Sequence, residues 1–345
     1  MGSLRQSFSE TNYIETPRVD HVQLDSLVAL KIIKHSEDER RSGSGEIAQG
    51  YLVGLVASEE RRLEVTNCFP IAKVGPDDDE NEPATHQPMM LKKFQQVNVD
   101  YLLTGFYQSS PFGACFNETF VESAFDYQCN VEDSVVLVYD PVKTAQGILT
   151  IKAYRLSLQA MKLCYKDFSS ESIKRVGLSY ENLFEELPVT IKNSHLVNIA
   201  LCELALLNKS NMAKPQFLDL GGGGNLERSV RQLMSNMDTL NQEVTKYNRY
   251  IVNKQKHDAQ RESHLQKRRL ENESRRARGE DPILEDDFTN TLKPLMVPSL
   301  LDSFLAASEI NAHTDHVLTI ASQNLGKLFM AEAVIEEKRE RTTST

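Results

Sequence analysis

The sequence predicts an α+β protein: a mixed β-sheet with flanking helices, followed by a mostly helical C-terminal region with a long heptad helix. Three observations carry this prediction. Strand-like and helical runs alternate up to about residue 155, the pattern of one layered domain. Beyond that point the strand-like runs almost vanish, leaving one short candidate at Val189-Thr190-Ile191. From Leu226 to Ile251 apolar residues then recur at alternating spacings of four and three.

Composition narrows the function classes. The chain has 345 residues, a net charge of -10, 40% hydrophobic and 26% charged residues. That mixture can bury a sizeable core and excludes wholesale disorder. No apolar run approaches the roughly 18 residues needed to span a membrane. The first residues lack the apolar stretch of a secretory signal, and Gln6 breaks the myristoylation pattern that Met1-Gly2 would open. The five cysteines are scattered and odd in number, so free thiols and a cytoplasmic location are expected. The acidic balance argues against a surface that binds nucleic acid throughout.

The elements follow in order. Residues 1–18, rich in Ser and Thr, read as a flexible tail. His21 to Asp25 alternates like a strand, and Asp25-Ser26 can open a helix at Leu27 that ends in the polar run 36–45. Ile47 to Ala57 and Arg62 to Phe69 read as a hairpin. Residues 75–88 form an acidic, Pro-bounded loop without the glycine turn and terminal Glu of a calcium loop. Met89 to Val97 is helical, and Met89 and Met90, being adjacent, cannot both face one core. Asp100 to Tyr107 is a strand, Asn117 caps a helix over 118–128, Ser134 to Tyr139 is a fully apolar strand, and Gly147 to Tyr154 alternates again.

In the second half, Ser157 to Asp167 and Ser194 to Asn208 read as helices. Gly221 to Gly224 is followed by Asn225-Leu226-Glu227 rather than by a lysine, so it is a linker and not a phosphate loop. Asn225 can cap the next helix. Leu226, Val230, Leu233, Met237, Leu240, Val244, Tyr247 and Ile251 form its heptad seam, which requires a partner helix. Residues 253–278 carry nine basic and four acidic side chains. An RNA-contacting helix is one reading. A solvated extension is favoured because the signs are interspersed and no aromatic ring is present to stack a base. Residues 279–298 hold three prolines and read as a linker, and 299–341 as a C-terminal helix able to reach a surface away from the sheet. His313 and His316 do not complete a zinc shell and read as polar helix positions.

The organisation expected is therefore a tail over 1–18, a first domain over 19–155, a helical extension over 156–220, a glycine linker over 221–224, a heptad and then charged helix over 225–278, a linker over 279–298 and a final helix over 299–341.

Gly50-Tyr51-Leu52-Val53-Gly54, Gly105-Phe106-Tyr107-Gln108-Ser109-Ser110-Pro111 and Val135-Val136-Leu137-Val138-Tyr139-Asp140-Pro141 resemble the MPN domain of the JAB1/Mov34 family. Blocks at 30–35, 63–70, 141–147, 191–196 and 323–329 resemble the h-type branch of that family, found in eukaryotic translation initiation factor 3. The resemblance implies an MPN domain over 19–155.

Active members are zinc isopeptidases with a catalytic Glu and a His-x-His, Ser, Asp ligand pattern. A zinc hydrolase needs about three protein ligands and an open position for water. Carried over, the histidines fall on Gln108 and Ser110, the Ser and Asp on Glu118 and Val121, and the Glu on Ile47. These five are degenerate metal-site positions, so no metal, cofactor, catalytic residue or small-molecule substrate is expected.

The resemblance further implies a non-catalytic scaffold that pairs with an f-type MPN subunit and joins a helical bundle of initiation-factor subunits. The 40S ribosome and mRNA are then met through the complex. Expected partner-binding residues are Met89, Met90, the eight seam residues, Leu325, Leu328 and Phe329. Scaffold roles in a proteasome-lid or signalosome-type complex, and direct RNA binding through 253–278, are the alternatives.

Overall fold

The computed structural model describes residues 19–42, 47–72, 82–131, 133–145, 148–208, 223–279 and 295–343. The expected tail, residues 209–220 of the expected helical extension, Gly221 and Gly222, residues 280–294 of the expected linker, and 75–81 of the acidic loop lie outside the described residues.

The described strands are β1 (His21–Leu24), β2 (Gln49–Ala57), β3 (Arg62–Pro70), β4 (Leu103–Ser109), β5 (Val135–Tyr139), β6 (Ile151–Leu156), β7 (Phe184–Leu187) and β8 (Val189–Ile191). The helices are α1 (Ser26–Ser42), α2 (Glu82–Gln96), α3 (Glu118–Asn130), α4 (Pro141–Ala145), α5 (Leu158–Tyr165), α6 (Ser170–Val176), α7 (His195–Asn208), α8 (Gly223–Arg278) and α9 (Leu301–Thr343). The strands form one mixed sheet in the order β7-β6-β5-β4-β2-β3-β1-β8. The β2–β3 hairpin is antiparallel, whereas β1 runs parallel to both β3 and β8, and β4 parallel to β5.

The apolar run in β5 has a direct structural reason. Successive side chains point to opposite faces of a strand. Val135, Leu137 and Tyr139 enter the core beneath α1, with Val28, Ile32, Leu52, Leu63 and Val65. Val136 and Val138 enter the opposite core, with Phe106, Phe120, Val121, Leu163 and Ile173. A sheet covered on both faces leaves such an interior strand no polar side.

Two glycines of the family-like motifs are required by close backbone approach. The β2–β3 register shifts between Val53 and Gly54. A Cβ on Gly54 would overlap the Glu64 carbonyl. Gly105 sits at φ +143°, and a Cβ there would overlap the Val135 carbonyl of the parallel neighbour.

Local capping holds several expected elements in place. Asn117 Oδ1 accepts the Phe120 amide at 2.8 Å and opens α3. Ser157 Oγ accepts the Ala160 amide at 3.1 Å and opens α5.

Several expectations are corrected. The boundary at 155 cuts the sheet, because β7 pairs with β6 and β8 pairs with β1. β7 (FEEL) carries two exposed carboxylates at its centre and reads as loop until its partner strand is known. The helix expected from Met89 begins at Glu82 and includes Pro88. Pro83 stands in its first turn, where a missing N–H costs nothing, so the helix is nucleated ahead of the methionines. Helix α8 begins at Gly223, so Asn225 lies inside it and not at its cap.

The last helix does not stand apart from the sheet. Leu301 and Leu305 are buried in the core with Phe120 and Leu163, and the Leu300 amide donates to the Phe168 carbonyl at 2.9 Å. His313 and His316 lie on this helix as expected, but facing inward. Each is 1% exposed. Among the described residues, no helix is long and apolar enough to cross a membrane.

Candidate functional site

The five degenerate positions do not converge on a pocket. Gln108 and Ser110 are buried at the end of β4 and just beyond it. Gln108 Oε1 accepts a 3.0 Å hydrogen bond from Gln49 Nε2, inside the β2–β4 register that pairs these residues. Ser110 Oγ donates to the Ala114 carbonyl at 2.7 Å, and its amide donates to the Tyr139 carbonyl. Between them, Ser109 Oγ accepts the Ala48 amide at 2.9 Å.

Val121 is buried in the aromatic core with Phe106 and Phe120. Glu118 stands exposed at the start of α3, lining an open groove with Glu122, Lys166 and Asp167. Ile47 is exposed ahead of β2. The amide and hydroxyl at positions 108 and 110 are thus committed to structural bonds. Among the described residues, no three or more His, Cys, Asp or Glu side chains are grouped to hold a metal ion.

The chain just past Ser110 is covered. The turn Pro111–Gly113 places Phe112 at φ +65°, a costly conformation for a bulky residue. Its ring packs against His316 with centroids 4.6 Å apart and against His313 at 5.8 Å. Helix α9 therefore docks on the turn beside the degenerate positions.

The eight seam residues on α8 form two differently placed columns. Asp302 lies within electrostatic reach of Lys246, and the Glu309 carboxyl faces Asn236. Rising numbers on α9 meet falling numbers on α8, so the two helices run antiparallel. Leu226, Leu233, Leu240 and Tyr247 are half-buried. Beside them the same contact covers a polar column, Ser229, Asn236 and Glu243. Val230, Met237, Val244 and Ile251 form the other apolar column and remain exposed, Met237 by 56%. The expectation of one stripe on one partner is corrected: a single neighbouring helix covers only part of so wide an apolar band. On α9, Leu325, Leu328 and Phe329 lie past the docked portion and are exposed. On α2, Met89 is 48% exposed while Met90 is half-buried.

A further surface was not singled out by the sequence reading. Helix α7 exposes Leu196, Val197, Ile199, Leu204 and Leu206, with Leu196 79% exposed. Its sequence, HLVNIALCELALLN, is apolar on all sides. Such a helix belongs inside a larger packing arrangement, and that was the available signal. Leu27 and Leu30 are exposed on α1. The two helices start side by side, because the Ser26 amide donates to Asn193 Oδ1 at 2.9 Å. Contiguous exposed apolar surface on this scale marks an interaction site.

A mixed sheet with these glycine approaches, a buried β4 terminus and a docked two-helix arm defines an MPN-type α+β protein. Residues 17–133 match the family described as JAB1/Mov34/MPN/PAD-1 ubiquitin protease, and 144–340 match the C-terminal region of eIF3h. The h subunit of eukaryotic translation initiation factor 3 from Caenorhabditis briggsae is 46% identical, over 96% of this chain and 97% of its own length. The same subunit from Brugia malayi is 44% identical over 94% of both chains, and its H-B form from Danio rerio is 43% identical over 93% and 95%. The chain belongs to the family of eukaryotic translation initiation factor 3 h subunits.

Proposed function

We propose that this protein is a non-catalytic scaffold subunit of eukaryotic translation initiation factor 3, working in the cytoplasm. It pairs its MPN domain with a second, f-type MPN subunit and adds its helices to a bundle shared with neighbouring subunits. It meets the 40S ribosome and mRNA through that complex. The observation that carries this reading is the placement of apolar surface. Helix α7 and the column Val230, Met237, Val244 and Ile251 leave more large side chains in water than a solitary chain needs. Burying each such side chain is worth about 1.5–3 kcal/mol.

The non-catalytic assignment rests on chemistry. A glutamine amide bonded to Gln49 and a serine bonded to a carbonyl supply no imidazole nitrogen or carboxylate to a metal. The names of the relatives favour the initiation-factor assembly over a proteasome-lid or signalosome-type complex. Direct RNA contact through 253–278 is less well supported. Lys254 is paired with Glu171 of α6, and four acidic residues are interspersed among the nine basic ones along this stretch.

The test is co-purification with native mass measurement. Leu196→Asp with Ile199→Asp puts two carboxylates on α7, each unfavourable if buried unpaired. The variant should fold but lose the second MPN subunit. Met89→Asp with Met90→Asp probes α2 in the same way. Wild-type stoichiometry in both variants would overturn pairing through these surfaces.

A further inference from the structure

The junction between α9 and the MPN-type sheet contains a histidine pair that the scaffold reading leaves unused. His313 and His316, one turn apart on α9, are each 1% exposed. Among the described residues, none of their four ring nitrogens has a hydrogen-bond partner. Both rings rest on Phe112, in the turn Pro111–Gly113. This contact and the burial of Leu301 and Leu305 hold α9 to the sheet, and α8 rides on α9.

We propose that His313 and His316 form a latch that holds α9 on the Pro111–Gly113 turn while both imidazoles are neutral and releases it when they take up protons. A neutral imidazole is tolerated in this site. An imidazolium would be buried with no acceptor on either nitrogen, which strongly disfavours the docked state.

The surrounding charges decide how far other groups could rescue the cation. At the end of β5, Asp140 is buried and would attract it. Asp140 Oδ1 already accepts the Val142 and Lys143 amides at 2.9 and 3.2 Å, while its Oδ2, buried and without a partner among the described residues, is the oxygen left to attract the cation, though it bonds neither ring in the docked state. On α4, Lys143 repels a charged His316, and so does His313 itself. On α9, burial disfavours the charged form of Glu309, one turn before His313. Helix α8 contributes the uncharged Ser229 and Asn236 to its contact with α9, and the turn Pro111–Gly113 has no charged side chain. The face of Phe112 offers only a weak cation–π attraction. Burial outweighs these, and both histidines are held below the ordinary imidazole value. A group depressed in this way contributes stability above its ordinary value and loses it as pH falls through its folded value.

The test uses the full chain and hydrogen–deuterium exchange at about pH 7.5 and about pH 5.5, bracketing the ordinary imidazole range and corrected for intrinsic rates. Peptides covering 111–116 and 301–320 should lose protection in acid, while β4 and β5 keep theirs. His313→Gln with His316→Gln removes both titrating groups and should remove the acid response. Lys143→Met leaves every ring in place and removes the cation that disfavours a docked imidazolium, so it should weaken the acid response and move the loss of protection to lower pH. Unchanged protection of α9 across this range in the wild-type chain overturns the latch. So does an acid response that survives the double substitution. If the double variant does not fold, the Lys143→Met chain decides, and an unmoved midpoint rejects the proposal.

Discussion

Gln49 and Gln108 face each other across β2 and β4, and the Nε2 of the first donates to the Oε1 of the second at 3.0 Å. An amide pair therefore occupies the place where the family resemblance would put a metal-binding histidine. Changing Gln108 and Ser110 to histidine restores two imidazoles but not the rest of the site. Val121 remains in the core and Glu118 on the surface. The wild-type chain and this variant should both hold well below one zinc per molecule by elemental analysis, with no cleavage of a ubiquitin chain. Stoichiometric zinc with chelator-sensitive cleavage in the wild-type chain would defeat the scaffold reading.

The two apolar columns of α8 separate into two experiments. Leu233→Asp with Leu240→Asp strikes the column facing α9 and should loosen the two-helix arm even in the isolated chain, read as lost exchange protection along α8. Val230→Asp with Met237→Asp strikes the exposed column. It should leave the isolated chain unchanged and reduce incorporation into the initiation-factor complex. Equal effects of the two pairs on the isolated chain would contradict the columns described.

Helix α9 is part of the core, so truncating it does more than remove an anchor. Leu305 is 5% exposed against the aromatic cluster. Leu305→Ala should cost about 2–5 kcal/mol, read from denaturant unfolding. Deleting 300–345 removes Leu301 as well and should destabilise the sheet domain. An unfolding midpoint unchanged by Leu305→Ala would place α9 outside the folded unit.

Gly105→Ala adds a Cβ where the Val135 carbonyl already stands, at a backbone angle that L-residues rarely adopt. The parallel β4–β5 pairing must spread or the strand must shift, and a loss above about 1 kcal/mol is expected from such strain. A variant as stable as wild type would show that the approach is less tight than described.

Asp25 gives a pH dependence of opposite sign to the histidines. Burial first, then the charges of Glu64 and Asp100, raise its carboxyl above the ordinary 3.8. The charged form is therefore disfavoured on folding. Its contribution is most favourable below the ordinary value and is lost as pH rises through the folded value. Asp25→Asn should stabilise the chain at neutral pH, and the gain should vanish in acid. A constant difference across that range, in thermal unfolding at several pH values, would assign the effect to something other than this charge.

The sequence by itself determined the local elements whose causes are local. Asn117 and Ser157 cap the helices they precede, the period-two hairpin forms where alternation places it, and the doubly apolar β5 lies inside the sheet between its two cores. The glycines at 54 and 105 and the substituted positions 108 and 110 were likewise readable, because a missing Cβ or a missing imidazole is a property of the residue itself. Tertiary structure alone decided the rest. β7 is too short and too polar to be a strand without β6 beside it, and only the pairing with β1 shows where the short candidate at Val189–Ile191 lies in the sheet. The heptad band of α8 specified helix pairing but not which column would be covered, because its apolar width exceeds what α9 can bury. His313 and His316 read only as polar helix positions, and their burial became visible with α9 lying on Phe112. Pairing, burial and docking depend on residues distant in the chain, so local periodicity has no access to them.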